Sequence, residues 1–393
     1  MLNRLLVMIS LICAAPVASA APCGRSFEAF VTTVKQEARA MGYSKAVTEG
    51  FFENVQQSAR VLKSDRSQSV LHRPFIDFSS LLISDNRMQR AKGYYASLDP
   101  LFSQIEKTYG VPRALLLAFW AFETDFGGYQ GDHNTRDALT TLAHDCRRPE
   151  LFGPQLFAAI ELYSRGDFDP LTTQGAWAGE IGMVQMLPRD IIENATDGDG
   201  DGRISLQTSR ADALWSAAKM LRHEGWRPNE PWLQEVRVPD HMDWAQTGLY
   251  TKRPVSTWHK MGVRPRSGEF EMPRAEASIL LPHGRNGPAF IAYPNFDVFF
   301  EWNQSFNYVL TAAYFSTLIN GAPAMDTGAP SAALDTPQIK ALQAYFENRG
   351  IDAGGVDGVI GRNTRQAIRQ TQQSVGLPAD GWPDAALLRK LGL

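Results

Sequence analysis

The first feature of this sequence able to do chemistry is an acidic side chain set in an apolar run. Glu123 stands in FWAFETDFGG, Phe119 to Gly128, at the end of a segment that is apolar on nearly every side. Burial disfavours the ionised carboxylate, and the negative end of a helix acts the same way, so Glu123 is expected to keep its proton near neutral pH. A neutral carboxylic acid can protonate a leaving glycosidic oxygen. Asp125, two positions on, faces elsewhere on a helix and is a poor second carboxylate for a two-acid glycosidase. A structural acid paired with an arginine would show the same pattern, because ion pairs also perturb carboxyl groups.

Two further segments carry chemistry. Gly175 to Ile191, GAWAGEIGMVQMLPRDI, is glycine-rich and then apolar, with the polar Gln185 inside it. Glycines let backbone approach a ligand closely, and Gln185 offers an amide to a sugar. A tight helix contact with glycines along its line is the alternative. The segment Asp197-Gly-Asp199-Gly-Asp201-Gly202-Arg203-Ile204 matches the first eight positions of an EF-hand loop. Asp197, Asp199 and Asp201 with the Arg203 carbonyl suit a structural Ca²⁺ in an Asp197–Thr208 loop. The twelfth position, a bidentate acid in such loops, is Thr208, and Asp212 substitutes only if the loop is longer than usual. A solvated acidic turn is the other reading.

The elements that must position these residues are mostly helical. Phe27 to Ala40 and Tyr94 to Tyr109 repeat apolar residues at three-to-four spacing. Pro112 suits the start of the buried helix Ala114 to Phe122, and Gly127-Gly128 can end it. Ala211 to His223 and Asn307 to Ile319 are further helices. Val236 to Glu276 mixes Pro, Gly, Trp and Thr, and Ala277 to Leu281 is strand-like, so a small β-containing insert is expected there. The fold class is therefore mainly α. Residues 321–336 have linker composition, and 337–393 resume a helical pattern.

The ends and the bulk composition bound the function class. One positive charge, the apolar run Leu5 to Ala15 and Ala18-Ser19-Ala20 form an export signal over residues 1–20. The run is short for a membrane span. The residues preceding Cys13 and Cys23, Ile12 and Pro22, do not suit lipid attachment. A soluble, periplasmic mature chain with no stable membrane insertion is expected. Cys23 and Cys146 would remain, and two lone cysteines can pair in an oxidising compartment. A net charge of −3 argues against a nucleic-acid partner.

Taken together and in order, ETDFGG, RDALTTLAHDCRRPELF, GAWAGEIGMVQMLP, DGDGDGR and ADALWSAAKMLRHEGW resemble the lytic transglycosylase B family, glycoside hydrolase family 103, from about Phe27 to about Ile319. The resemblance implies a lysozyme-like helical catalytic domain over residues 21–320 with one essential glutamate, matched by Glu123. It also implies substrate binding by Arg147 and Arg148, by Gln185, and by Asn303 and Tyr308 in NFDVFFEWNQSFNY. Arginines can hold carboxylates of lactyl groups or stem peptides. Departures from the family pattern are Ala176 for Ser, Glu180 for Ala, and Met220 at an aromatic position. Glu180 would place a second carboxylate near the site.

The C-terminal segment, with IKALQAYFENRG and VDGVIGRNTRQAIRQTQQSVGLPADG, resembles the type 1 peptidoglycan-binding domain, a small three-helix unit. Together the resemblances imply cleavage of the bond between MurNAc and GlcNAc in peptidoglycan glycan strands. One glutamate fits a non-hydrolytic reaction that closes a 1,6-anhydro ring with no catalytic cofactor. A hydrolytic muramidase and a catalytically weak wall-binding scaffold are the alternatives.

Overall fold

The computed structural model describes residues 25–66 and 73–393. The expected export signal and Cys23 lie outside the described residues. Cys146 is disulfide-bonded. Among the described residues the chain forms 17 helices and seven short strands, so the mainly helical expectation holds.

The helix Arg113–Thr124 runs through the centre of the molecule. Nine of its residues are buried, Phe119 and Trp120 completely. Each such aromatic contributes about 1.5–3 kcal/mol by leaving water. This helix packs on Asp85–Ser97 and on Phe306–Ile319, which is itself apolar almost all round. The expected continuous helix Tyr94 to Tyr109 is two helices, Asp85–Ser97 and Asp99–Tyr109. Pro100 starts the second, since proline has no N–H to continue the first but suits a first turn.

The β-containing insert is a five-stranded antiparallel sheet. Its strands in chain order are β3 (Leu233–Arg237), β4 (Arg253–Pro254), β5 (Arg264–Pro265), β6 (Glu276–Leu280) and β7 (Ala289–Ala292). They lie in the order β4-β6-β7-β3-β5. Strands β1 (His133–Asn134) and β2 (Gln174–Gly175) form a separate pair beside the site. One face of the larger sheet buries Trp258, Ile279 and Ile291, and Trp258 donates to the Ala277 carbonyl at 2.8 Å.

Three helices, Thr336–Glu347, Arg362–Ser374 and Ala385–Leu391, close on Leu342, Phe346, Ile368 and Leu387 at the C-terminus. The unit uses one device twice. Buried Gln343 ties the turn Asp357-Gly358, and buried Gln372 ties Asp380-Gly381, each by donating to the aspartate and accepting from the glycine N–H. The segment leading into this unit is pinned to the sheet side of the larger fold. Met325 N–H donates to the Tyr314 hydroxyl, Asp326 N–H to Glu235, and Ala329 N–H to the Asn286 carbonyl. Trp382 stacks on His283, ring centroids 4.6 Å apart.

Candidate active site

Glu123 lies on the last turn of the central helix, half-buried, with its neighbours on that helix holding its partners. Phe119 stacks on Trp302 at 4.3 Å between centroids, and the Trp302 indole N–H donates to Glu123 Oε1 at 2.8 Å. Phe122 meets Tyr308 edge-on, and the Tyr308 hydroxyl donates to the same oxygen. Among the described residues, Oε2 takes no protein hydrogen bond, so one oxygen is fixed and the other is left for a proton and a substrate. Burial pushes the Glu123 carboxyl up from its ordinary range, and the two donors pull it partly back. Burial and the adjacent carboxyl also push the Tyr308 phenol up. It therefore stays a donor at neutral pH.

The chain leaves this helix through an unusual turn. Asp125, Phe126 and Gly127 have φ of 51°, 60° and 81° in succession. Left-handed backbone at two non-glycine residues is costly and persists only where the surroundings enforce it. Here Asp125 accepts from Arg87 at 3.0 Å and from Arg90, and Arg90 also holds the Asp125 carbonyl at 2.9 Å. Asp125 is thus a structural acid. Thr124 ties the turn to the next segment, its hydroxyl donating to the Met183 carbonyl at 2.6 Å and accepting from Gly127 N–H.

That next segment is a folded loop rather than a helix. Ile181 and Met186 exchange two backbone hydrogen bonds, and Gln185 is left-handed at φ 54°. Gly182, at φ 82°, lies where a Cβ would stand 2.6 Å from the Leu206 carbonyl oxygen, so only glycine fits. The Gln185 amide N–H₂ donates to the carbonyls of Gly182 and Gln130 at 2.8 and 3.2 Å. Its oxygen is the end left to accept. Asn303 ends the helix Pro294–Trp302, its oxygen accepting from Ser305 N–H at 2.9 Å, which leaves its amide N–H₂ to donate.

Arg147 and Arg148 converge on one buried carboxylate, Asp65. The Arg148 guanidinium also lies over Phe152 and Trp177, at 5.0 and 5.9 Å from the ring centroids. Glu180 stands within the electrostatic reach of both Glu123 and Arg148. Burial, with a smaller contribution from Glu123, pushes its carboxyl to about 7. Its Oε2 is buried without a hydrogen-bond partner.

Asp197 and Asp199 come together with Asp212, which is buried on the helix Arg210–His223; one oxygen from each lies within 4.8 Å of the others. Asp201 stands outside this group, its carboxylate accepting from Arg203 N–H at 2.8 Å. Three clustered carboxylates are hard oxygen ligands and fit a divalent cation such as Ca²⁺.

Sequence reasoning missed Trp302 and Asp65; Asp212, expected to substitute only in a longer loop, is the acid that joins Asp197 and Asp199. Tyr308, expected to bind substrate, donates instead to Glu123.

Residues 26–317 match the family model of the transglycosylase SLT domain, and residues 335–391 match that of the peptidoglycan binding domain. SltB3 from Pseudomonas aeruginosa, solved with NAG-anhNAM-pentapeptide and with NAG-NAM-pentapeptide, is 34% identical, with a TM-score of 0.85 over 94% of this chain and 100% of that one. The membrane-bound lytic murein transglycosylase B of Escherichia coli (strain K12) is 25% identical over 240 residues, 60% of this chain and 64% of that protein. The match thus spans less than two thirds of that relative. The Escherichia coli lytic transglycosylase Slt35, solved with calcium, shares the fold at a TM-score of 0.65 and 20% identity, over 78% of this chain and 98% of that one. A catalytic glutamate candidate on the central helix, and family models that match most of the chain, place this protein in the transglycosylase SLT domain family.

Proposed function

We propose that this protein is a lytic transglycosylase that cleaves the β-1,4 bond between MurNAc and GlcNAc in peptidoglycan glycan strands and leaves 1,6-anhydroMurNAc ends. The observation that carries this reading is the asymmetric carboxyl of Glu123: a raised pKa, one oxygen held by Trp302 and Tyr308, the other open. Protonated Glu123 gives its proton to the glycosidic oxygen as the bond to the anomeric carbon breaks. The acetamido group of MurNAc shares the developing positive charge, as in substrate-assisted glycosidases. Glu123, now ionised and stabilised by its two donors, takes the proton of the C6 hydroxyl. That oxygen closes on the anomeric carbon. The glutamate ends protonated, and no water is consumed.

Gln185, Asn303, Arg147 and Arg148 bind the strand around this centre, the arginines reaching its carboxylates while Asp65 holds them in place. SltB3 was crystallised with an anhydro-sugar ligand, which supports the same class of product here. Hydrolysis is the second reading, favoured by Glu180 as a further carboxyl near Glu123. A hydrolytic partner must be ionised, and burial, which pushes the Glu180 carboxyl to about 7, leaves it only partly so at neutral pH.

Residues 1–20 act as an export signal in this reading, 21–320 as the catalytic domain, 321–336 as a linker and 337–393 as a peptidoglycan-binding domain, with the mature chain in the periplasm. Among the described residues no helix is long and apolar enough to cross a membrane. The Asp197–Asp199–Asp212 group holds a structural Ca²⁺ that takes no part in the chemistry.

Glu123→Gln tests the assignment. The amide keeps the side chain's size and removes both acid and base, so activity on purified sacculi should fall by about 10⁴-fold or more. Sacculus binding and stability should persist. Residual activity within tenfold of wild type would remove Glu123 from the mechanism.

A further inference from the structure

The middle helix of the C-terminal unit, Arg362–Ser374, lies against the catalytic fold, and two of its arginines are buried in the junction. Arg365 and Arg369 are each 6% exposed. The Nε of each is buried without a hydrogen-bond partner. Among the described residues, the Arg365 guanidinium makes no hydrogen bond. It sits over the rings of Phe306 and Trp382, 4.6 and 5.7 Å from their centroids. Arg369 places one N–H on Gln366, at 3.0 Å. A Cβ on Gly248 would stand 2.4 Å from Arg369 Nη1, and one on Gly381 would stand 2.7 Å from Nη2. Backbone from both sides therefore encloses this guanidinium.

The charge in this junction is only partly balanced by protein. An arginine keeps its proton and presents five N–H donors. Asp380 is the acid whose field reaches both arginines. Its carboxylate is already occupied: one oxygen accepts from the side chain and backbone of Arg285 at 3.0 and 3.1 Å, the other from Gln372 at 3.1 Å and Trp382 N–H at 3.0 Å. Three guanidinium groups thus share one carboxylate. Buried charge without a counter-charge is costly. A cavity of about 20 Å³ lies against both arginines and Arg362, and Leu249, Tyr250, Leu281 and Phe306 of the catalytic fold line its other side. That volume admits one water-sized guest. It suits a halide and excludes phosphate or a sugar acid.

We propose that this junction binds one small monovalent anion of chloride size between Arg365 and Arg369, and that the anion locks the C-terminal unit onto the catalytic fold. A water molecule in the same place would accept N–H groups but add no negative charge to the one carboxylate that the guanidinium groups share. The donors come from the C-terminal unit and the lid from the catalytic fold, so the complete site exists only when the two are docked. Anion binding therefore stabilises the docked state by mass action.

Two measurements on the full chain decide this. Crystals soaked in sodium bromide should show an anomalous peak between the Arg365 and Arg369 guanidinium groups. Unfolding followed at fixed sodium concentration should show a saturable rise in Tm, by roughly 2 °C, when chloride replaces the larger gluconate. Arg365→Met should remove the rise. No bromide peak at the junction, or a chloride response that survives in Arg365→Met, would overturn the proposal. If the variant fails to fold, the bromide map of the wild-type protein decides alone.

Discussion

Tyr308 donates its hydroxyl hydrogen to Oε1 of Glu123, the same oxygen that accepts from the Trp302 indole. Both donors favour the ionised carboxylate, against burial, which favours the acid. The balance matters because the reaction uses Glu123 first as an acid and then as a base.

Removing one donor should therefore move the pH dependence in a known direction. Tyr308→Phe leaves burial in place and takes away a hydrogen bond to a charged group worth about 1.5–3 kcal/mol. The Glu123 pKa should rise further above its ordinary range. Activity requires the protonated acid and is lost as pH rises through that pKa, so the alkaline limb of the pH–rate profile should move to higher pH. The maximal rate should fall as well, since the base is less well stabilised. An alkaline limb that stays in place would separate Tyr308 from the titration of Glu123.

Glu180 should make stability depend on pH. Its folded pKa of about 7 lies above the ordinary value of 4.5. The folded state therefore holds this proton more tightly than the unfolded chain, and that stabilisation is complete below about pH 4.5. It is lost as pH rises through about 7. Glu180→Gln, always neutral, should gain on wild type by on the order of 2–3 kcal/mol between pH 4 and pH 8. Its activity should change only modestly. A stability difference that is flat with pH would mean that Glu180 is not held as a neutral acid.

Calcium should discriminate among the loop aspartates. Millimolar Ca²⁺ should raise Tm by mass action in the wild-type protein. Asp199→Asn should abolish the rise, because Asp199 belongs to the clustered group, whereas Asp201→Asn should keep most of it. Equal loss in both variants would restore the ordinary EF-hand ligand set; no rise in wild type would leave an acidic turn tied together by its own N–H groups.

The legibility of these features in the sequence follows from their range. Glu123 was legible because an acid in a long apolar run is a local anomaly, and the neighbouring helices because their period is local. Leu98-Asp99-Pro100 broke one expected helix, a signal that the apolar spacing on either side masked. Trp302 was not legible: its indole meets Glu123 across 179 positions of chain, and one aromatic among many carries no such mark. Asp65 likewise meets Arg147 and Arg148 from 82 and 83 positions away. The Gly-Ala-Pro composition after Gly321 suggests a loose tether. Tyr314 pins it from only 11 positions away, but the Glu235 side chain and the Asn286 carbonyl that also hold it are distant in sequence.

The most direct test of the central claim is the mass of the muropeptides released from purified sacculi. A single glutamate that returns its proton by way of the C6 hydroxyl must leave 1,6-anhydroMurNAc ends, each one water lighter than the product of hydrolysis. The account predicts those anhydro ends as the major species from the start of digestion. Reducing MurNAc ends as the major species would contradict it and would point to an activated water in place of the C6 hydroxyl.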